Sequence, residues 1–123
     1  MKFRSKLETD FYKQYQQDIQ GYECDKISYN LPHTYTPDFK VAHKVYIETK
    51  GRFYSQDRTK TLAIVRQHPD VTLAIVFMRP SDLLYKGAKS TNGDWCDKNG
   101  ITWFDFKDKA GISAFMAQYK EAK

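Results

Sequence analysis

The chain has 123 residues, 41% apolar and 15% aromatic, with a formal net charge of +5 at neutral pH. That size and balance predict one domain around one modest core, and they exclude disorder along most of the length. No apolar run approaches the roughly 18 residues that a bilayer span needs, so no membrane partner is expected.

Met1 to Glu8 lacks the apolar segment of a signal peptide. Phe3, Leu7, Phe11, Tyr15 and Ile19 recur every four residues, which is the stripe of an amphipathic helix. Ser5, with Glu8 three residues on, has the form of a capping box, and Gly21 supplies a stop. Residues 22–30 alternate loosely and predict a strand ending at Asn30-Leu31-Pro32. A hairpin follows: Tyr35 to Val41, a turn around Ala42-His43-Lys44, then Val45 to Lys50, closed by Gly51. Ser55 to His68 reads as a second helix with Leu62, Ile64 and Val65 inward and Pro69 beyond its end.

Val71 to Met78 is almost continuously apolar, as expected of a strand buried on both faces. Residues 79–92, rich in Pro, Gly, Ser and Lys, read as a loop. Gly93 to Lys98 reads as a short helix ending near Gly100, and Ile101 to Phe104 as a short strand. Ile112 to Lys120 closes the chain as a helix with Ile112, Phe115, Met116 and Tyr119 on one side. Trp95 and Trp103 are expected in the core. The order α-β-β-β-α-β-α-β-α implies an α/β fold, a mixed central sheet flanked by helices. Cys24 and Cys96 lie far apart with no Cys-x-x-Cys spacing, so neither zinc nor a disulfide is indicated. Free thiols in a reducing cytoplasm are expected.

Charge placement says more than the total. From His33 to His68, seven basic residues (Lys40, Lys44, Lys50, Arg52, Arg58, Lys60, Arg66) face three acids (Asp38, Glu48, Asp57). Such a stretch attracts a polyanion, although a solvated basic face is the commoner origin of any one cluster.

Within that stretch, Thr36-Pro37-Asp38-Phe39 is followed by Ile47-Glu48-Thr49-Lys50-Gly51. Many metal-dependent nucleases assemble a phosphodiester-cutting site from such a pattern. A strand's period of two puts Glu48 and Lys50 on one face, roughly 6–7 Å apart. Thr49 turns the other way but leaves its carbonyl nearby. Asp38 from the neighbouring strand completes an oxygen cage suited to Mg²⁺ or Mn²⁺. Lys50 has three possible tasks: orienting the attacking water, deprotonating it, or offsetting charge on the phosphate. The bland alternative is a turn aspartate and an edge glutamate, since both short patterns recur by chance.

Glu8 reads first as the partner of Ser5 in the capping box. His33, Thr34, Tyr35 and Thr36 offer donors for a phosphate oxygen just ahead of Asp38, and a structural turn is equally consistent. Lys86 and Tyr85 sit in a loop where DNA contact competes with simple solvation. His68, before Pro69, suits a helix terminus.

These residues resemble the phage endonuclease I family of four-way-junction resolvases. The shared motifs are His33-Thr34-Tyr35-Thr36-Pro37-Asp38-Phe39, Glu48-Thr49-Lys50-Gly51, Asp57-Arg58 and Gln67-His68-Pro69. Ile75-Val76-Phe77, Leu84-Tyr85-Lys86-Gly87 and Cys96-x-Lys98-x-Gly100-Ile101 follow in order, so the likeness runs from about Ser5 to Phe104. It implies the PD-(D/E)xK restriction-endonuclease-like fold over a single nuclease domain, residues 1–123, and hydrolysis of DNA with two divalent ions. Carried over by motif, Asp38, Glu48 and the Thr49 carbonyl hold one ion, Asp38 and Glu8 the other, and Lys50 is the catalytic lysine. The resemblance thereby makes Glu8 a ligand as well as a cap.

His33, Tyr35, Thr36, Arg52, Arg58, Lys60 and Lys86 are the expected DNA contacts. The resemblance further implies a phage-encoded protein of the host cytoplasm, preferring branched DNA and working as an intertwined homodimer. The segment Ile27 to His33 is a few residues shorter than the bridge of such dimers. Two rivals stand beside this reading: a monomeric nickase or free-standing homing endonuclease of the same fold, and a DNA-binding module that does not cut.

Overall fold

The computed structural model describes residues 2–28 and 34–120. Helix α1 (Lys6–Tyr15) is capped by Ser5, whose hydroxyl oxygen accepts from the Glu8 amide at 3.1 Å. Leu7, Phe11 and Tyr15 form its buried stripe. The helix was expected to run to Ile19, but its end tightens into a 3-10 turn over Gln16–Asp18.

The predicted strand over 22–30 does not form as one element. Its described part is two short strands, β1 (Gly21–Tyr22) and β2 (Ile27–Ser28). Between them Glu23 adopts a left-handed conformation, φ +48°, which swings the chain away after β1 has made two pairs with the central sheet. The expected end at Asn30-Leu31-Pro32 lies outside the described residues.

The first hairpin arm is likewise divided. Thr34–Tyr35 (β3) pairs antiparallel with β2, and Phe39–Ala42 (β4) joins the main sheet. Pro37 stands between them. It has no N–H to give a ladder, so the chain steps from one sheet to the other there. The return arm β5 (Val45–Lys50) forms as expected, with Lys44 at φ +57° in the turn.

Strand β5 continues through α2 (Ser55–Gln67) to β6 (Thr72–Phe77), then through α3 (Asn92–Lys98) to β7 (Thr102–Asp105) and α4 (Lys109–Lys120). The five-stranded sheet has the order β1-β4-β5-β6-β7, antiparallel at the β1/β4/β5 side and parallel from β5 to β7. This is the mixed α/β sheet the sequence implied. Alternation divides the core. Val45, Ile47, Ala74 and Val76 pack with Phe11, Ile112 and Met116 from α1 and α4. Tyr46 and Leu73 pack with Ile64 of α2, and Ile75 and Phe77 with Phe53 and Cys96.

Helix α4 starts three residues earlier than expected because Asp108 caps it, accepting from the Gly111 amide at 3.0 Å. Trp95 and Trp103 are half-buried at the edge of the core rather than inside it. Both cysteines are free thiols, Cys24 exposed and Cys96 buried. Among the described residues, no helix is long and apolar enough to cross a membrane.

Candidate active site

The C-terminal end of β5, the step before β4 and the start of α1 meet around a cleft of about 410 Å³. Four acids, Glu8, Glu23, Asp38 and Glu48, line it together with Arg4, Lys50 and Lys60. Glu8, Asp38 and Glu48 are only 7%, 7% and 8% exposed. Burying carboxylates this deeply is costly unless donors or cations answer them.

Each acid has its own donors. Oδ2 of Asp38 accepts both the amide and the hydroxyl of Thr49, at 2.9 Å each, which leaves Oδ1 for a cation. Thr49, expected to offer only its carbonyl, therefore also fixes the neighbouring aspartate. Oε1 of Glu48 accepts from the Asp38 amide at 3.1 Å, and Oε2 lies 3.5 Å from Nζ of Lys50. The Tyr35 hydroxyl also hydrogen-bonds Glu48. Oε1 of Glu8 accepts from the Tyr22 hydroxyl at 2.6 Å and from the Arg4 amide at 2.8 Å. Only the Ser5 half of the expected capping box forms: the Glu8 carboxylate takes the Arg4 amide rather than the Ser5 amide, and it reaches the cleft.

The crowding shows in the proton affinities. Burial, then the negative charges of Glu48 and Glu8, push the Asp38 carboxyl up to about 8, against the pull of the Thr49 hydrogen bonds. Burial also raises Glu48, with Lys50 and the Tyr35 hydroxyl opposing. Burial alone would lower Lys50, but Glu48 and Asp57 outweigh it and hold its pKa above the usual value. Without a cation in the cleft, Lys50 is therefore held as an ammonium, the form suited to two of its three tasks, charge balance and water orientation.

Carboxylate oxygens of Glu8, Glu23 and Asp38 all lie within 4.8 Å of one another. That donor set fits a hard divalent cation, whose charge would offset the repulsion that raises Asp38. Glu48 lies outside this oxygen triplet, its oxygens directed to Lys50, Tyr35 and the Asp38 amide. Sequence reasoning missed Glu23. It sits in a loosely alternating segment, and nothing local signals the left-handed turn that brings it beside Asp38, where its amide donates to the Asp38 carbonyl at 3.0 Å. A guanidinium nitrogen of Arg4 pairs with Glu23 at 3.0 Å.

Asp57 was also passed over as a site residue. Its Oδ1 lies 3.2 Å from Nζ of Lys50 while Oδ2 accepts from the Tyr54 amide at 2.9 Å, so one carboxylate caps α2 and steadies the lysine.

The residues read as DNA contacts scatter. Thr36 and Lys60 line the cleft, and Nζ of Lys60 sits 5.4 Å over the Tyr35 ring centre. Tyr35 also lines the cleft, only 5% exposed, and its hydroxyl hydrogen-bonds Glu48. Arg58 turns inward, donating to the Phe53 carbonyl at 2.6 Å and reaching the Leu84 carbonyl at 3.5 Å, which makes it a strut between α2 and the loop after β6. Arg52 and Lys86 are exposed outside the cleft. His33 lies outside the described residues.

A buried cluster of acids beside a protonated lysine, at one end of a mixed sheet, is a site built for phosphodiester chemistry. Comparison with known proteins agrees. The sequence pattern of the phage endonuclease I family matches residues 1–118. The chain is 43% identical over 108 residues to endodeoxyribonuclease 1 of Enterobacteria phage T3, covering 84% of this chain and 71% of that one. It is 41% identical over 108 residues to endonuclease I of Escherichia phage T7, covering 84% and 72%. The chain belongs to the phage endonuclease I family.

Proposed function

We propose that this phage endonuclease I-type nuclease hydrolyses DNA phosphodiesters with divalent ions, Mg²⁺ or Mn²⁺, held at the acidic cleft. One observation carries the reading: Glu8, Asp38, Glu48 and Lys50, from three separate stretches of chain, line a single cleft. Asp38, Glu48 and the Thr49 carbonyl would hold one ion, Asp38 and Glu8 a second, and Glu23 is close enough to share the latter. Bound there, such ions supply Lewis-acid charge at the phosphate and a more acidic water.

The chain's own groups do the rest. The Lys50 ammonium, braced by Glu48 and Asp57, balances negative charge building on the phosphoryl oxygens and orients the water. Arg4 and Lys60 at the cleft add positive charge where the phosphodiester enters. Water's oxygen bonds to phosphorus as the bond to the 3′ oxygen breaks; the attacking water releases a proton to solvent and the departing oxygen takes one up, leaving a 3′-hydroxyl and a 5′-phosphate. We read the sheet and its site as the PD-(D/E)xK arrangement in one nuclease domain, acting in the cytoplasm of the phage's host.

Branched DNA such as a four-way junction is the proposed substrate, cut by a homodimer carrying one site per half. A second reading, the monomeric nickase, is favoured by a specific observation. The segment Ile27 to His33 is a few residues shorter in sequence than the bridge of intertwined dimers. Gel filtration with nicking of supercoiled plasmid separates the two, because a strict monomer that cuts linear duplex as readily as a junction removes the resolvase reading.

The central test incubates labelled four-way, forked and linear DNA with the protein, with and without Mg²⁺. EDTA and Asp38→Asn should each abolish cleavage, whereas Asp38→Asn keeps DNA binding. Cutting that persists in EDTA would overturn the metal-dependent mechanism.

A further inference from the structure

A second concavity, of about 340 Å³, opens at the same end of the sheet, between the turn after β5 and the loop after β6. Its floor is Phe53, buried, with Phe77 and Trp95 meeting it edge-on at 5.2 and 5.1 Å. Tyr54 and Leu83 stand in the lining 52% and 51% exposed, a large apolar surface for a chain of this size to leave in water. Arg52 and Arg79 flank them. The lining also holds one acid, Asp82, 3.5 Å from Arg79 in a half-exposed i,i+3 pair too weak to claim that guanidinium.

The walls are fixed. The Asn92 side-chain amide donates to the Arg79 carbonyl at 3.2 Å, its backbone amide donates to the Asp82 carbonyl at 2.9 Å, and Arg58 ties α2 to Phe53. The groove is also coupled to the cleft. The Asp57 carboxylate that holds Lys50 with one oxygen holds the Tyr54 amide with the other, and Arg52 follows Lys50 by two residues.

We propose that this groove takes one unpaired nucleotide of the DNA strand flanking the scissile phosphate, its base against Tyr54 and Leu83 and its phosphate between Arg52 and Arg79. Aromatic faces stack on any base, and guanidinium forks suit phosphate oxygens. In continuous duplex both faces of a base are covered by its neighbours, so the groove selects DNA with an unpaired position. The inference rests on the reading of the cleft as the place where DNA is cut.

The test compares a duplex carrying a short single-stranded gap, labelled there with 2-aminopurine, and the matching continuous duplex, bound in EDTA so that neither is cut. Wild-type protein should quench the 2-aminopurine. Tyr54→Ala should lose the quench and about tenfold or more in affinity for gapped DNA, with less than about twofold change on continuous duplex. Tyr54→Phe, which keeps the ring, should restore both. Arg79→Ala should lower the salt slope of gapped-DNA binding by about one. Equal losses on the two DNAs, or a quench retained in Tyr54→Ala, would overturn the groove and leave the nuclease reading standing. A wild-type protein that binds neither DNA in EDTA would also overturn the groove, and the cleavage test with Mg²⁺ decides the nuclease reading separately. Thermal melts matching wild type confirm that each variant is folded.

Discussion

Asp38 is the residue on which the cleft turns. Its carboxyl is buried between other acids and retains its proton up to about pH 8 when no cation is present. An unfolded aspartate releases it near pH 3.9. Between those values the folded chain binds the extra proton, so the associated stability is complete below the unfolded pKa and fades as pH rises through about 8. In EDTA, the thermal midpoint of wild type should therefore fall relative to Asp38→Asn as pH rises from about 4 to 8. Saturating Mn²⁺ should flatten the difference. A parallel pair of curves in EDTA would show that Asp38 is not so perturbed.

Asp57 offers a second measurement. Asp57→Asn leaves Lys50 with Glu48 alone and weakens the cap of α2, so kcat should drop about tenfold or more, with KM little changed. Stability should fall by only about 1 kcal/mol. Asp57→Glu should recover part of kcat, and a loss of stability without loss of kcat would confine Asp57 to its capping role.

Among the elements, α3 packs closely against β7. A Cβ on Gly93 would lie 2.6 Å from a ring carbon of Trp103, whose indole N–H is anchored to Asp97 at 2.8 Å and cannot simply step aside. Gly93→Ala should cost about 1–3 kcal/mol, read as a lower denaturant midpoint, because an overpacked contact must push β7 from α3. Thr91, whose hydroxyl oxygen caps the same helix at 3.1 Å, gives a gentler change: Thr91→Ala should cost about 1 kcal/mol. The same helix carries Asn92, which pins the loop over the second groove, so cap and groove stand or fall together.

For the whole molecule, charge is divided by position. Glu8, Glu23, Asp38 and Glu48 sit inside the cleft, and Arg52, Arg79 and Lys86 stand in solvent outside it. A net charge of +5 organised this way predicts DNA affinity that falls steeply between about 50 and 200 mM salt. Anisotropy titrations with linear duplex check it, and a flat dependence would remove the basic face as an interface.

The amino-acid order alone settled the features that depend on local periodicity. The α1 stripe, the β5 and β6 strands, α2, and the alternation that puts Glu48 and Lys50 on one face follow from side chains two or four residues apart. The motifs around Asp38 and Glu48 were legible for the same reason, since their spacing reflects two adjacent strands. Tertiary structure alone decided where Glu23, Tyr22 and Asp57 end up. A left-handed turn at Glu23 and the step at Pro37 are small local changes, yet they choose which strand each segment joins. It also turned Arg58 and Tyr35 inward, because a carbonyl and a carboxylate buried nearby needed donors that nothing local could supply.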